Sequence, residues 1–290
     1  MKNLDLSTLP AKKRKQIVSC LRAGIQLLYF LFLPSVFTAA FNGVKYIFTQ
    51  LGQGEKIEMT AFVSALLLVC AFTIVFGRFF CGFACAFGSL GDAMHAIYGI
   101  ICKKRKKKPR CIKPELVKKL VLIKYGILLL IALCCFAGVY QKARGTSPWD
   151  VFSMLHAGNF RLSSYIPGIV LLALILVGMF FEERFFCHFL CPMGAVFSLL
   201  PILPFFTLHR KRENCIRGCS ACTRQCPSAV ELPSDGSVEI SGDCFQCQKC
   251  IDTCPKGNIH TGVKGLRGNE FWFTILRAVI LLILLLWLGV

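Results

Sequence analysis

RFFCGFAC at residues 78–85 returns as RFFCHFLC at residues 184–191, and each copy follows a long apolar run. Arg78 aligns with Arg184, Phe79 with Phe185, Phe80 with Phe186, Cys81 with Cys187, Phe83 with Phe189, Cys85 with Cys191 and Gly88 with Gly194. A single matching pair of cysteines can arise by chance, whereas this many aligned positions after two apolar spans are an internal repeat. Upstream, at a slightly different offset, Phe48, Leu51 and Gly54 meet Phe152, Leu155 and Gly158. Each unit reads as a helix, an outer loop, a second helix, the motif and a short apolar coda.

The 290 residues are 55% hydrophobic yet carry a formal net charge of +19, so apolar and basic residues are segregated along the chain. Apolar runs at Ile17–Ala40 (interrupted by Arg22), Ala61–Phe80, Leu120–Tyr140, Ile166–Phe181 and Phe271–Val290 reach or nearly reach the length that crosses a hydrocarbon layer of about 30 Å. Lys12, Lys13, Arg14 and Lys15 before the first run also suit a cleavable signal peptide. That run is longer than the usual ~7 to 15 residues and no small-x-small site closes it, so a retained helix is expected. Placing KKRK on the cytoplasmic side puts CKKRKKKPRCIK, residues 102–113, there too, while 41–59 and 141–164 become weakly charged outer loops. Both RFFC motifs and the stretch Leu208–Asn269 then face the cytoplasm, and the repeats are parallel, related by an axis along the membrane normal. The short stretch after either motif can instead re-enter. Attraction to anionic lipid accounts for the Lys-rich run 103–108, and no nucleic-acid partner is expected.

Eighteen cysteines exceed what helical packing needs, and the dense group lies on the reducing side, which argues against disulfides. CFQCQKCIDTCP at 244–255 places Cys244, Cys247, Cys250 and Cys254 at the ferredoxin spacing C-x2-C-x2-C-x3-C-P. CIRGCSACTRQCP at 215–227 places Cys215, Cys219, Cys222 and Cys226 with one residue more in the first gap, beside Gly218. Two-cluster ferredoxins exchange their fourth ligands, so one [4Fe-4S] cluster is assigned Cys215, Cys219, Cys222 and Cys254, and the other Cys244, Cys247, Cys250 and Cys226. Four-thiolate zinc is the alternative, but zinc knuckles come as two pairs around a longer loop. Between the runs, Val230–Ile240 with turn residues Pro233–Gly236 reads as a small hairpin. A domain this small draws folding energy from its clusters.

On a helix, residues four apart share a face, so the two C-x3-C motifs together offer Cys81, Cys85, Cys187 and Cys191. Three readings stay open: inert packing, a third metal centre with iron and sulfur favoured over a single ion, and a thiol-disulfide relay. Arg78 and Arg184 either snorkel to headgroups or offset thiolate charge. His188 stands where the first motif has Gly82, so an imidazole ligand or proton carrier would be asymmetric. Asp92 with His95, and Glu182 with Glu183, suit either proton transfer or interfacial placement. Cys20, Cys70, Cys134 and Cys135 read as packing residues, and Cys102 and Cys111 as thiols bracketing the basic loop.

CHFLCP at 187–192, with the paired ferredoxin runs behind it, resembles the polyferredoxin membrane proteins. These include the quinol-oxidising subunit of periplasmic nitrate reduction, the membrane part of the nitrous-oxide reductase maturation regulator and a copper-handling oxidase assembly protein. The resemblance covers residues 17–290. It implies four or five membrane helices, two cytoplasmic C-x3-C-P motifs matching Cys81 with Cys85 and Cys187 with Cys191, and two [4Fe-4S] clusters on the eight ferredoxin-type cysteines. It also implies electron flow between a quinol pool or cytoplasmic donor and an acceptor across the membrane. Two departures stand out: Ala86 replaces the first motif's proline, which calls its local geometry into question, and the first ferredoxin gap is longer. No flavin domain and no C-x-x-C-H haem motif are evident.

The expected fold is an all-α membrane protein with two helical-hairpin repeats plus a small cytoplasmic ferredoxin-like domain. Its segments are a basic N-terminus at 1–16, repeat 1 at 17–101, a basic loop at 102–119, repeat 2 at 120–207, the ferredoxin-like part at 208–269 and a last membrane helix at 270–290. The expected function is electron transfer in a bacterial or archaeal cytoplasmic membrane, with redox proteins as partners and quinol, a soluble ferredoxin or a flavodoxin as candidate donor. The alternatives are a factor that reduces a metal ion or thiol during maturation of another enzyme, and a structural iron-sulfur subunit.

Overall fold

The computed structural model describes residues 11–107, 114–140, 145–160, 163–261 and 270–289. Cys111, part of the basic 102–119 loop and most of the basic N-terminus lie outside the described residues. The protein is largely α-helical. α1 (Ala11–Phe32) and α2 (Val36–Gln53) meet at a bend of 62°. Arg22 interrupts the apolar run in composition but lies inside α1; the helix break falls around Pro34, whose ring cannot continue a helix.

The expected outer loop at 41–59 is instead mostly α2, and the expected outer loop at 141–164 carries α7 (Pro148–His156). The repeat explains why. α2 ends at Gly54 with φ +68° and α7 just before Gly158 with φ +72°, and in each case the glycine N–H returns to a leucine carbonyl, Leu51 or Leu155, at 3.3 and 3.1 Å. The matched Leu and Gly of the two units are thus a helix stop built on the left-handed conformation that glycine adopts without steric cost.

α3 (Ala61–Phe76) leads into the first motif, followed by α4 (Ala86–Lys104). After α5 (Pro114–Leu120) and α6 (Ile123–Phe136), the second unit runs through α7 and α8 (Ile166–Phe181) to its motif and α9 (Pro192–Leu199). The codas differ, since α4 has 19 residues and α9 has 8. The small domain holds β1 (Leu208–Lys211), α10 (Ala221–Arg224), β2 (Asp235–Val238), α11 (Lys249–Thr253) and β3 (Ile259–Thr261), and α12 (Glu270–Trp287) follows.

The expected local hairpin at 230–240 does not form. β2 pairs antiparallel with β1, and β1 pairs on its other side with β3, giving the order β2-β1-β3. A lone hairpin leaves both faces without a core. Here Leu208, Leu232 and Ile259 close over Cys244, with Cys222, Cys250 and Cys254 packed against them.

Among the described residues, only α12 is by itself long and apolar enough to cross a membrane, and the bent α1–α2 pair passes the same test together. α3, α6 and α8 are apolar but shorter, at 16, 14 and 16 residues. The outward faces of these helices and of α12 carry large exposed apolar side chains, among them Leu67, Leu130, Leu174 and Ile283. On the inner side, Phe37, Phe79, Phe80, Phe87, Phe186 and Phe197 belong to one core that surrounds the motifs.

Candidate metal centre

Neither C-x3-C lies on a regular α-helix. Phe80–Ala84 and Phe186–Leu190 are π-turns, in which Cys85 N–H returns to Phe80 O at 2.9 Å and Cys191 N–H to Phe186 O at 2.8 Å. Cys85 and Cys191 then stand extended as the N-caps of α4 and α9. Each cysteine pair is thus set not by an i, i+4 shared helix face but by a widened turn at a helix junction, a common feature of functional sites.

Ala86 does not distort the first copy. Cys85 has φ −71° and ψ 122°, Cys191 φ −74° and ψ 114°. The residue after each is simply the first of a helix, a position that proline suits and alanine also fills. All four motif cysteines are buried and lie within electrostatic reach of one another across the two repeats.

The two repeat arginines cross over. Arg184 is buried and donates from Nη2 to Gly82 O at 2.9 Å, and from Nη1 to Cys81 O, in the other repeat. Arg78 is equally buried and donates from Nη1 to Gly242 O at 3.1 Å and Ser198 Oγ at 3.2 Å. A Cβ on Gly88 would stand 2.6 Å from Arg184 Nη1, and one on Gly194 would stand 2.9 Å from Arg78 Nη2. The aligned Arg and Gly are therefore one device used twice: each repeat's glycine makes room for the other repeat's guanidinium. Snorkelling to headgroups is excluded by the burial.

Asp92 does not face His95. Its carboxylate takes two bonds from Arg184, Nε to Oδ1 at 2.8 Å and Nη2 to Oδ2 at 2.6 Å, one from Gln26 at 2.6 Å and an ion pair with Arg22. His95 packs near Tyr98 instead. Glu183 pairs with Lys249 of α11.

The second ferredoxin-type run is inserted between the motifs. Phe245 O would lie 2.4 Å from a Cβ on Gly82, and the Gln246 side chain 2.8 Å from one on Gly77. This close approach explains why the first motif has glycine where the second has His188, which is buried beside Phe189 and near Phe245. Phe245 lies below two guanidiniums, 4.7 Å from that of Arg78 and 5.7 Å from that of Arg184. Lys124, buried in α6, reaches Asp243 Oδ1 at 2.6 Å and Ser198 Oγ at 2.8 Å. Burial opposes ionisation of Asp243, but Lys124, Ser198 and Arg78 outweigh it and hold its carboxyl below the usual range.

Asn258 joins Cys254 and Cys215: its backbone N–H donates to Cys254 Sγ at 3.3 Å and its side chain to Cys215 Sγ at 3.5 Å. Arg210 Nη1 donates to Cys222 Sγ at 3.0 Å. Cys226 lies within reach of Cys247, and Cys250 within reach of Cys247, Cys244, Cys226 and Cys222. Burial pushes the Cys244, Cys250 and Cys226 thiols up, and neighbouring thiolates push them further. Thiols so crowded can share the thiolate state once a positive metal group compensates them.

Among the described residues, no three His, Cys, Asp or Glu side chains are grouped to hold a metal ion. The fit to an iron-sulfur group rests on sulfur donors, N–H donors aimed at them, and buried cations without full partners. Arg78 Nε and Nη2 have no hydrogen-bond partner among the described residues. Sequence reasoning missed Lys124, Gln246, Asn258 and Arg277, whose only signal was a polar residue inside or beside an apolar or cysteine-rich run.

The family described as "4Fe-4S binding domain" matches residues 59–109 and 166–207, the two segments that carry the C-x3-C motifs. The chain is 30% identical over 206 residues to an uncharacterized protein of Methanocaldococcus jannaschii, MJ0749, covering 70% of this chain and 71% of that one. It is 29% identical to the methylamine utilization ferredoxin-type protein MauN of Paracoccus denitrificans, over 66% of this chain and 64% of the relative. It is 24% identical to the ferredoxin-type protein NapH of Haemophilus influenzae over the same shares, 66% and 64%. No solved structure matches the chain.

Proposed function

Because the chain belongs to the polyferredoxin-type iron-sulfur protein family, we propose that it is a membrane electron-transfer protein with three contiguous centres. One [4Fe-4S] cluster is held by Cys215, Cys219, Cys222 and Cys254, and a second by Cys244, Cys247, Cys250 and Cys226. Cys81, Cys85, Cys187 and Cys191 hold a third iron-sulfur centre. When bound, the clusters supply one-electron chemistry; the chain supplies ligands, burial and hydrogen bonds that set their potentials.

The observation that carries this reading is the seating of Phe245 and Gln246 directly on Gly82 and Gly77. It leaves the Cys244–Cys247 loop and the four motif cysteines adjacent, with Arg78 and Arg184 between them. The first run is the more open end. Cys215, Cys219 and Cys222 are half-buried, and Lys211, Arg212, Arg217, Arg224 and Lys256 beside them are exposed, which suits an acidic soluble carrier such as a flavodoxin or ferredoxin. Electrons pass between that carrier, or the quinone pool, and a partner redox protein at the membrane. The exposed apolar faces of α3, α6, α8 and α12 support lipid contact, and the flanking basic residues support a cytoplasmic ferredoxin-like part with anionic lipid nearby. Resemblance to the quinol-oxidising subunit of nitrate reduction belongs to the same reading.

The test is anaerobic purification with iron and sulfide counts, for the unaltered protein and for a Cys81→Ser, Cys187→Ser double variant. About twelve irons falling to about eight is expected. About eight in both would sink the third centre, and a loss of about two would mean a smaller one.

A further inference from the structure

The cations around the motifs are not equally served. Arg184 is fully paired to Asp92, Cys81 O and Gly82 O. Arg277, in the middle of α12, is completely buried, and its Nε, Nη1 and Nη2 all lack a hydrogen-bond partner among the described residues. Its guanidinium lies 4.6 Å from the Phe79 ring of the first motif and 4.4 Å from the Phe273 ring. Two aromatic faces attract a cation but offer no acceptor to its N–H groups. An arginine buried inside an apolar helix is costly unless something negative meets it.

Three observations direct attention to the neighbouring cysteine run. Cys244 lies within electrostatic range of Arg277. One turn before Arg277 on the helix, Thr274 donates to Gln248 Oε1 at 2.9 Å, which fixes α12 against the loop between Cys247 and Cys250. The same cysteine run carries buried atoms without partners among the described residues, Gln246 Oε1, Gln248 Nε2 and Thr253 Oγ1.

We propose that Arg277 is a positioning residue for the cluster at Cys244, Cys247, Cys250 and Cys226, its charge and N–H groups offsetting the negative sulfurs and raising the reduction potential. The proposal rests on the reading of those cysteines as cluster ligands. α12 thereby becomes a part of the redox site and not only a membrane anchor. A reduced cluster is one charge more negative than an oxidised one, so a fixed buried cation favours reduction.

The test compares the anaerobically purified full chain with Arg277→Gln and Arg277→Lys, measuring iron and sulfide content and following each cluster by electron paramagnetic resonance during a redox titration. The expected result is that Arg277→Gln keeps its iron while the reduced-to-oxidised ratio of one cluster, at fixed solution potential, falls on the order of tenfold, about 59 mV for one electron. Arg277→Lys restores most of that loss. Unchanged midpoints in an iron-replete Arg277→Gln would overturn the proposal and leave Arg277 a packing residue. If Arg277→Gln loses the cluster, the lysine variant decides. Retained iron with a near-native midpoint upholds the charge role; loss of iron there too, or a midpoint far from native, overturns it. An unaltered protein without iron would sink the cluster reading itself, a different failure from a cluster indifferent to Arg277.

Discussion

Asp92 is the residue on which the crossed arginine arrangement depends most. Its one carboxylate serves Arg184, Arg22 and Gln26, joining α1, α4 and the second motif. Removing one partner of a buried ion pair leaves the other charge uncompensated, which is worse than never having had the pair. Asp92→Asn is therefore expected to destabilise the protein by about 3–5 kcal/mol, the range for a broken buried pair. Asp92→Glu, with the charge kept but one methylene added, should cost less. Thermal unfolding in detergent checks both, and equal losses would show that packing and not charge sets the cost. A second residue-scale expectation concerns Gly82. A Cβ there meets Phe245 O at 2.4 Å, so Gly82→Ala must push the cysteine loop off the motif, costing about 1–3 kcal/mol by the usual scale of overpacking. His188, the equivalent position in the other repeat, carries a full buried side chain packed on Phe189, so shortening it to alanine should cost through the cavity it leaves and not by displacing the loop. Comparing the two variants by unfolding midpoint tests whether the asymmetry between the motifs is steric, as the placement of Phe245 says.

The repeated element is the helix, π-turn and extended cysteine that opens the next helix. Its matched residues are legible in the sequence because each has one steric role, with Arg crossing to the other repeat, Gly admitting the crossing arginine and Cys capping the following helix. Gly54 and Gly158 are legible as matches, but what they do is not, since a helix stop and a loop look alike where both are rich in Phe and Leu. The outer-loop reading of 41–59 fails for that reason. Pro34 is a better boundary signal than Arg22 because a backbone without an N–H cannot be compensated, whereas a buried arginine can be paired. The hairpin reading of 230–240 fails because strand partners are set by which residues can share a core, here Leu208 and Ile259, and that is not local information. Ala86 raises a question that the backbone answers. Cys85 already has the extended conformation that a following proline demands, and Ala86 is the first residue of α4, where the N–H takes no part in the helix ladder. Ala86→Pro is accordingly expected to leave absorption and iron content unchanged and to stabilise by about 0.4–1 kcal/mol through the unfolded chain. A loss of stability on this substitution, measured by thermal unfolding, would mean that the two motifs are not equivalent after all.

At the scale of the whole molecule, two bodies of very different self-sufficiency meet at the motifs. The helical part has a continuous aromatic core around Phe37, Phe79, Phe87 and Phe186, with edge and stacked ring contacts such as Phe79–Phe83 at 4.4 Å. The small part has a core of only Leu208, Leu232, Cys244 and Ile259 among the described residues. So few buried side chains cannot offset the conformational entropy of the ordered segment, and metal binding then becomes folding free energy. The eight ferredoxin-type cysteines stand out at once by their spacing. The link of α12 to them does not, because Thr274 and Arg277 look like ordinary breaks in an apolar helix until Gln248 is found bonded to Thr274. The order in which parts of the molecule come loose should reflect this. Stripping iron with a chelator under reducing conditions should expose 208–261 to limited proteolysis while α1–α4 and α6–α9 stay protected, and far-ultraviolet circular dichroism should fall only slightly, since α10 and α11 are short. α12 should lose protection next, because its buried arginine then faces neutral thiols in place of a negative cluster. Cleavage can be mapped by mass spectrometry of the fragments over time. If the stripped protein keeps 208–261 as well protected as the iron-loaded form, the sheet and its small core hold that part on their own, and the clusters contribute chemistry without contributing fold.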